Sequence, residues 1–189
     1  MRRTIALGVL PFVLLFGLFF CAPALRATVL VPAEFGEIVA GSQIIVYGRI
    51  GEVRPEWSAD RRRIDTIVTV EAASYLKGGP GSTVTFRVPG GTIGRYKNVM
   101  VGAPEFQTGE EAVLFLNAQG PSVAHIFGLS QGVFRVRVDG RTGRRLVIAP
   151  VLLSNGEAAQ KVTRGDSARR PLPLETFAAT VRSAMGGAR

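Results

Sequence analysis

Cysteine and histidine are nearly absent: the 189 residues contain one of each, Cys21 and His125. Cys21 falls inside an apolar N-terminal segment, so everything beyond residue 27 is cysteine-free. Such a chain cannot build a Cys/His zinc site, a thiol nucleophile or a disulfide framework. Acidic residues are the minority, 14 against 23 Lys and Arg, for a formal charge of +9. No internal repeat or low-complexity tract is present. With 20% charged and 47% apolar residues, the composition excludes a disordered, collagen-like or coiled-coil chain.

Residues 1–27 have the layout of an export signal. Met1-Arg2-Arg3-Thr4 is a basic start, Ile5 to Cys21 is an apolar run, and Ala22-Pro23-Ala24 and Leu25-Arg26-Ala27 offer small residues for cleavage after Ala24 or Ala27. The alternative is a retained membrane anchor over residues 5–21. That run is short for a spanning helix and is weakened by Gly8, Pro11 and Gly17. Phe20 stands where lipoprotein processing at Cys21 needs a small residue, and Arg2-Arg3 alone does not define twin-arginine export. Cleavage leaves about 162 residues and a net charge of +6, one domain's worth of chain that works outside the cytoplasm.

Within the mature chain, residues 33–41 suggest one or two helical turns stopped by Gly41. Ile44 to Val53 predicts a strand, with Gly48 and Gly51 marking a bulge or bend. Pro55 to Arg63 predicts a turn. Ile64 to Leu76 alternates as a half-buried strand, Lys77 to Gly81 is a strong turn, and Thr83 to Val88 is a third strand. Residues 91–111 have the least periodicity and predict a long connection. Ala112 to Leu116 is unbroken apolar, which suits a strand buried on both faces, and His125 to Phe127 suits another. Val133 to Val138 alternates, with Phe134, Val136 and Val138 inward and Arg135 and Arg137 outward. Asp139 to Gly143 then predicts a hairpin turn into Leu146-Val147-Ile148. Ser154 to Arg170 is polar, and Leu174, Phe177, Val181 and Met185 form the apolar stripe of a terminal helix. Short strands, glycine-rich turns and one amphipathic helix predict a mainly β protein: a small OB-like barrel, closed or partly open, with a C-terminal amphipathic helix on its side or end. The expected division is signal segment 1–27, barrel 28–150, and polar linker with terminal helix 151–189.

The stretch from Ile44 to Gly90, with Tyr75-Leu76-Lys77-Gly78 closing its second strand, is similar to the netrin-like domains of tissue inhibitors of metalloproteinases. Phe106 to Leu116 and Gly128 to Phe134 resemble a group of uncharacterised secreted bacterial proteins. The resemblance covers about half of the mature chain and implies an OB-fold barrel. The animal inhibitors chelate the protease zinc through an N-terminal cysteine; this mature chain has none, so that mechanism is not implied.

Gly128-Leu129-Ser130-Gln131-Gly132 spells the Gly-x-Ser-x-Gly nucleophile elbow, which needs a following helix and a later histidine. Val133 to Val138 is strand-like instead, and His125 lies upstream, so these glycines are expected to bound a connection between strands. Glu110 and Glu111 are adjacent, which in an extended chain sends them to opposite faces. Glu34 and Glu37 suit an exposed helical turn better than an acid/base pair. The glycine runs at 78–81 and 90–94 lack a Gly-Lys-Ser/Thr ending, and Asp60, Asp65 and Asp139 are too scattered for a calcium loop. No catalytic residue, metal or cofactor is expected. The candidate binding surface is a basic patch of Arg135, Arg137, Arg141, Arg144 and Arg145. A nucleic-acid role for an OB-like barrel with Tyr47 or Trp57 exposed conflicts with export.

These features point to an exported, non-enzymatic binding domain of the cell envelope. Its partner is expected to be a protein or an anionic envelope component, with no nucleic acid, and with membrane attachment only if the signal segment stays. The alternatives are a carboxylate-based extracytoplasmic hydrolase and a structural envelope component.

Overall fold

The computed structural model describes residues 32–79, 81–118, 123–150 and 170–186. The signal segment, and residues 154–169 of the expected polar linker, lie outside them. A short helix α1 (Phe35–Gly41) is followed by β1 (Ile44–Trp57), β2 (Ile64–Lys77), β3 (Thr83–Pro89), β4 (Gly91–Ile93), β5 (Tyr96–Asn98), β6 (Glu111–Asn117), β7 (Ala124–Ile126), β8 (Val133–Val138), β9 (Arg145–Ile148), β10 (Leu172–Pro173) and helix α2 (Leu174–Gly186).

Five strands close on themselves. β1 pairs antiparallel with β2 on one edge and with β6 on the other; β2 continues to β3, β3 runs parallel to β7, and β7 returns to β6. This ring is the expected OB-like barrel. Closing a small barrel demands sharp bending of the long strands. The β1–β2 register accordingly shifts at Ile45/Val46, Tyr47/Gly48 and Ile50/Glu52. At Gly48 the strands approach so closely that a Cβ would stand 2.3 Å from the Glu71 carbonyl oxygen, and only glycine fits.

The apolar run of β6 explains how the rest of the chain attaches. Ala112, Leu114 and Leu116 face the barrel interior with Val46, Val68, Val70 and Phe86. Val113 and Phe115 face outward into a second core with Ile38, Phe134, Val147, Phe177 and Val181. The strand is therefore buried on both faces, and the outer core is roofed by α1 and α2. In that roof Phe177 stacks within 4.9 Å of Phe134 and within 5.7 Å of Phe35, centroid to centroid. Beside β6, strands β8, β9 and β10 extend the sheet off the barrel.

Three local expectations change, and one pairing is added. β1 runs on through Pro55 to Trp57, because each of these residues faces a partner on β2 (Pro55 with Thr66, Trp57 with Ile64), leaving only Ser58–Arg63 as the turn. The connection at 91–111 contains the β4–β5 hairpin, whose three pairs are too few to show as periodicity. Val138 is 59% exposed: it pairs with Arg145 next to the turn of the β8–β9 hairpin, outside the outer core. Leu172-Pro173, ahead of α2, pairs with Val147 and Leu146 and anchors the helix to the sheet.

Candidate functional site

The five arginines of the basic patch fall on two sides of the extended sheet. Side chains alternate along a strand, and Arg145 pairs with Val138 while Arg137 pairs with Leu146. Arg145 therefore shares a face with Val136 and Glu111, and Arg135 and Arg137 project from the other.

On the first face Glu111 sits at the centre of a polar cluster joining β1, β6 and β9. Its Oε2 accepts the Tyr47 hydroxyl at 2.7 Å and Arg145 Nε at 3.0 Å, and its Oε1 accepts Arg49 Nη2 at 3.2 Å. The hydrogen bond from Tyr47, followed by the two guanidinium groups, holds the Glu111 carboxyl below its usual pKa despite partial burial. Burial, then the hydrogen bond to Glu111, pushes the Tyr47 phenol up to about 12. Arg144 and Arg145 line a shallow cavity of about 590 Å³ beside this cluster, between Tyr47 and the start of α2. Arg141 lies in the β8–β9 turn, where Asp139 accepts its backbone N–H at 3.0 Å and the Thr142 hydroxyl at 2.7 Å.

On the second face Arg135 has a structural assignment. It donates to Glu110 Oε2 at 2.5 Å and to the Glu105 carbonyl at 2.6 Å, and its guanidinium lies 5.7 Å from the Phe106 ring centre. It thereby clips the 105–110 segment to β8. Arg137 has no side-chain partner among the described residues. The adjacent acids follow the alternation of an extended chain: Glu110 goes to Arg135, and Glu111 goes to the opposite cluster.

Arg135 and Arg137 form one wall of a groove of about 550 Å³. Val133, Ile148, Ala149, Pro104 and Pro150 supply its apolar lining, and Ser130 lines it too. The sequence separates Ser130 from the basic strand; the fold puts them in one concavity. Each glycine around Ser130 has a packing reason. Gly128 and Leu129 take successive left-handed conformations (φ 55° and 58°), turning the chain sharply out of β7. A Cβ on Gly132 would meet the Phe127 and Phe115 carbonyls within 2.9 Å. Residues Leu129–Gly132 form one 3₁₀ turn that enters strand β8, and buried Gln131 accepts the Ala33 N–H at 2.6 Å. Strand, turn and strand replace the strand and helix of a nucleophile elbow.

The other singled-out groups are dispersed. His125 is exposed on β7, opposite Arg87 and Asn117. Glu37 accepts the Glu34 N–H at 3.0 Å and caps α1. Asp60 sits in the Ser58 turn, while Asp65 lies beside Arg87 at 3.5 Å. Among the described residues no three His, Cys, Asp or Glu side chains gather as a metal site, and no helix is long and apolar enough to cross a membrane.

One surface escaped the sequence reading. Trp57 and Tyr96 meet edge to face at 5.5 Å, and Val99, Met100 and Val101 stand exposed on the chain leaving β5. The available signal was the consecutive Val-Met-Val after a Gly-Arg turn. Compared with known proteins, the chain matches no family model, no curated protein and no solved structure.

Proposed function

We propose that this chain is an exported, non-enzymatic binding domain that holds a segment of a protein partner in the groove beside β8. The observation that carries the reading is the groove itself: a largely apolar lining together with Arg137, a cation uncommitted among the described residues. Apolar contact area with one well-placed guanidinium is the composition of a recognition hot spot. The groove takes an apolar side chain on its lining and a carboxylate or backbone carbonyl on Arg137. Export rests on the basic start and apolar run at residues 1–21, and intact mass of the exported protein is expected to place its N-terminus near Leu25 or Thr28. The netrin-like kinship belongs to the same proposal on grounds of fold alone.

A carboxylate-based hydrolase has less support. Glu110 and Glu111, the adjacent acids, point away from each other, and each is already engaged by arginine. The outer face of β2 and β3 presents Ile67, Thr69, Thr85 and Arg87 without a ring on which a base could stack.

The test is capture of partners from the cell envelope by wild-type protein, Arg137→Ser and Ser130→Ala. Arg137→Ser is expected to weaken capture about tenfold, a loss of about 1.4 kcal/mol, while Ser130→Ala leaves it unchanged. Arg135→Ser acts differently, costing about 1 kcal/mol of stability by releasing the 105–110 segment. Equal capture by wild type and Arg137→Ser, or a hydrolytic activity abolished by Ser130→Ala, would overturn the reading.

A further inference from the structure

The side of the molecule bearing Trp57 and the β4–β5 hairpin joins projecting apolar groups to unbalanced positive charge. Among the described residues, Val101 is 89% exposed and Val99 is 66% exposed. Val101 stands clear of the surface as an insertion point, and Val99 and Met100, which also line a cleft of about 300 Å³ with Lys97 and Phe106, keep much of their apolar surface open to solvent. Trp57 and Tyr96 belong to the same side, packed edge to face, with the Arg95 guanidinium 5.1 Å from the Tyr96 ring centre. Hydrogen bonds from Arg63 N to Ser58 Oγ and from Ser58 N to the Arg63 carbonyl close the turn that follows Trp57, leaving Arg61, Arg62 and Arg63 exposed beside it. Together with Arg95 and Lys97 this makes five cations over residues 57–63 and 91–101 against one acid there, Asp60, with Arg63 also 4.0 Å from the Asp65 carboxylate of β2.

We propose that this face docks on an anionic lipid surface, independently of the export segment and of the β8 groove. Trp and Tyr are suited to the headgroup level of a bilayer, where an apolar ring and a polar edge are both satisfied. Val99, Met100 and Val101 reach the acyl boundary below it, as the apolar face of a peripheral anchor does. The arginines and Lys97 meet the phosphates, each strengthening attachment about fivefold at low salt. Charge also decides against a second copy of this chain as the occupant, because two such faces would bring ten cations together.

Trp57 is the only tryptophan, so its fluorescence reports this face alone. Exported protein is mixed with vesicles of phosphatidylglycerol and phosphatidylethanolamine, or with phosphatidylcholine vesicles. With the anionic vesicles the Trp57 emission is expected to move to shorter wavelength and to be quenched by brominated acyl chains, an effect that weakens as salt rises. Phosphatidylcholine leaves it unchanged. The Arg61→Gln/Arg62→Gln/Arg95→Gln variant is expected to need at least tenfold more anionic lipid for half-saturation. Val99→Ser/Val101→Ser abolishes the quenching while keeping the wild-type unfolding midpoint, since both side chains are exposed. An emission indifferent to anionic vesicles, or an equal response to phosphatidylcholine, overturns the proposal. Arg137→Ser binds vesicles as wild type does, so this test and that of the β8 groove fail separately.

Discussion

The Tyr47 hydroxyl donates to the Glu111 carboxylate at 2.7 Å across the β1–β6 seam, where the barrel closes. Arg145 of β9 reaches the same carboxylate oxygen. One polar cluster thus ties the barrel to the strands that extend beyond it, on the face where Val113 and Phe115 begin the outer core.

That bond has a pH signature. The folded-state pKa of Glu111 is lowered, so its contribution is present above the unfolded value and is lost as pH falls through the folded one. Tyr47 is raised to about 12, so its contribution is present below the unfolded value near 10 and is lost as pH rises through about 12. Tyr47→Phe is expected to lower stability at pH 7 by about 1–2 kcal/mol. In denaturant titrations this deficit narrows in acid, once Glu111 is protonated. A deficit that stays constant down to pH 2 would show that the loss comes from packing alone.

The aromatic roof gives a second prediction. Phe177 is 4% exposed and contacts Phe35, Phe115 and Phe134. Phe177→Ala is expected to cost on the order of 3 kcal/mol through lost burial and the cavity left behind. An unchanged unfolding midpoint would mean that α2 is not part of the cooperative fold.

The two glycines of β1 behave differently. At Gly48 an added methyl would press on the Glu71 carbonyl, whereas at Gly51 its nearest neighbour is the flexible Glu71 carboxylate at 3.4 Å. Gly48→Ala is expected to destabilise by about 1–3 kcal/mol. Gly51→Ala is expected to stay within about 0.5 kcal/mol of wild type. Paired thermal melts check both, and equal losses would mean that the bend at Gly48 does not limit stability.

Local chemistry by itself determined most of the longer strands and their interruptions, but not the three-pair β4–β5 hairpin or the two-residue β10, which are too short to carry a period. Five successive apolar residues, Ala112 to Leu116, dictate a strand buried on both faces because alternate side chains point oppositely. Gly48 announces a close approach, Asp139 to Gly143 a hairpin, and the spacing of Leu174, Phe177 and Val181 a one-sided helix. Only the tertiary structure decided how these elements share faces. The arginines from 135 to 145 form one cluster in sequence, but pairing across the β8–β9 hairpin sends Arg145 to Glu111 and leaves Arg137 at the opposite groove. Ser130 joins that groove, and Trp57 meets Tyr96, through contacts between segments distant along the chain. The physical reason is register: periodicity fixes which residues share a face of one strand, while long-range pairing fixes what that face meets.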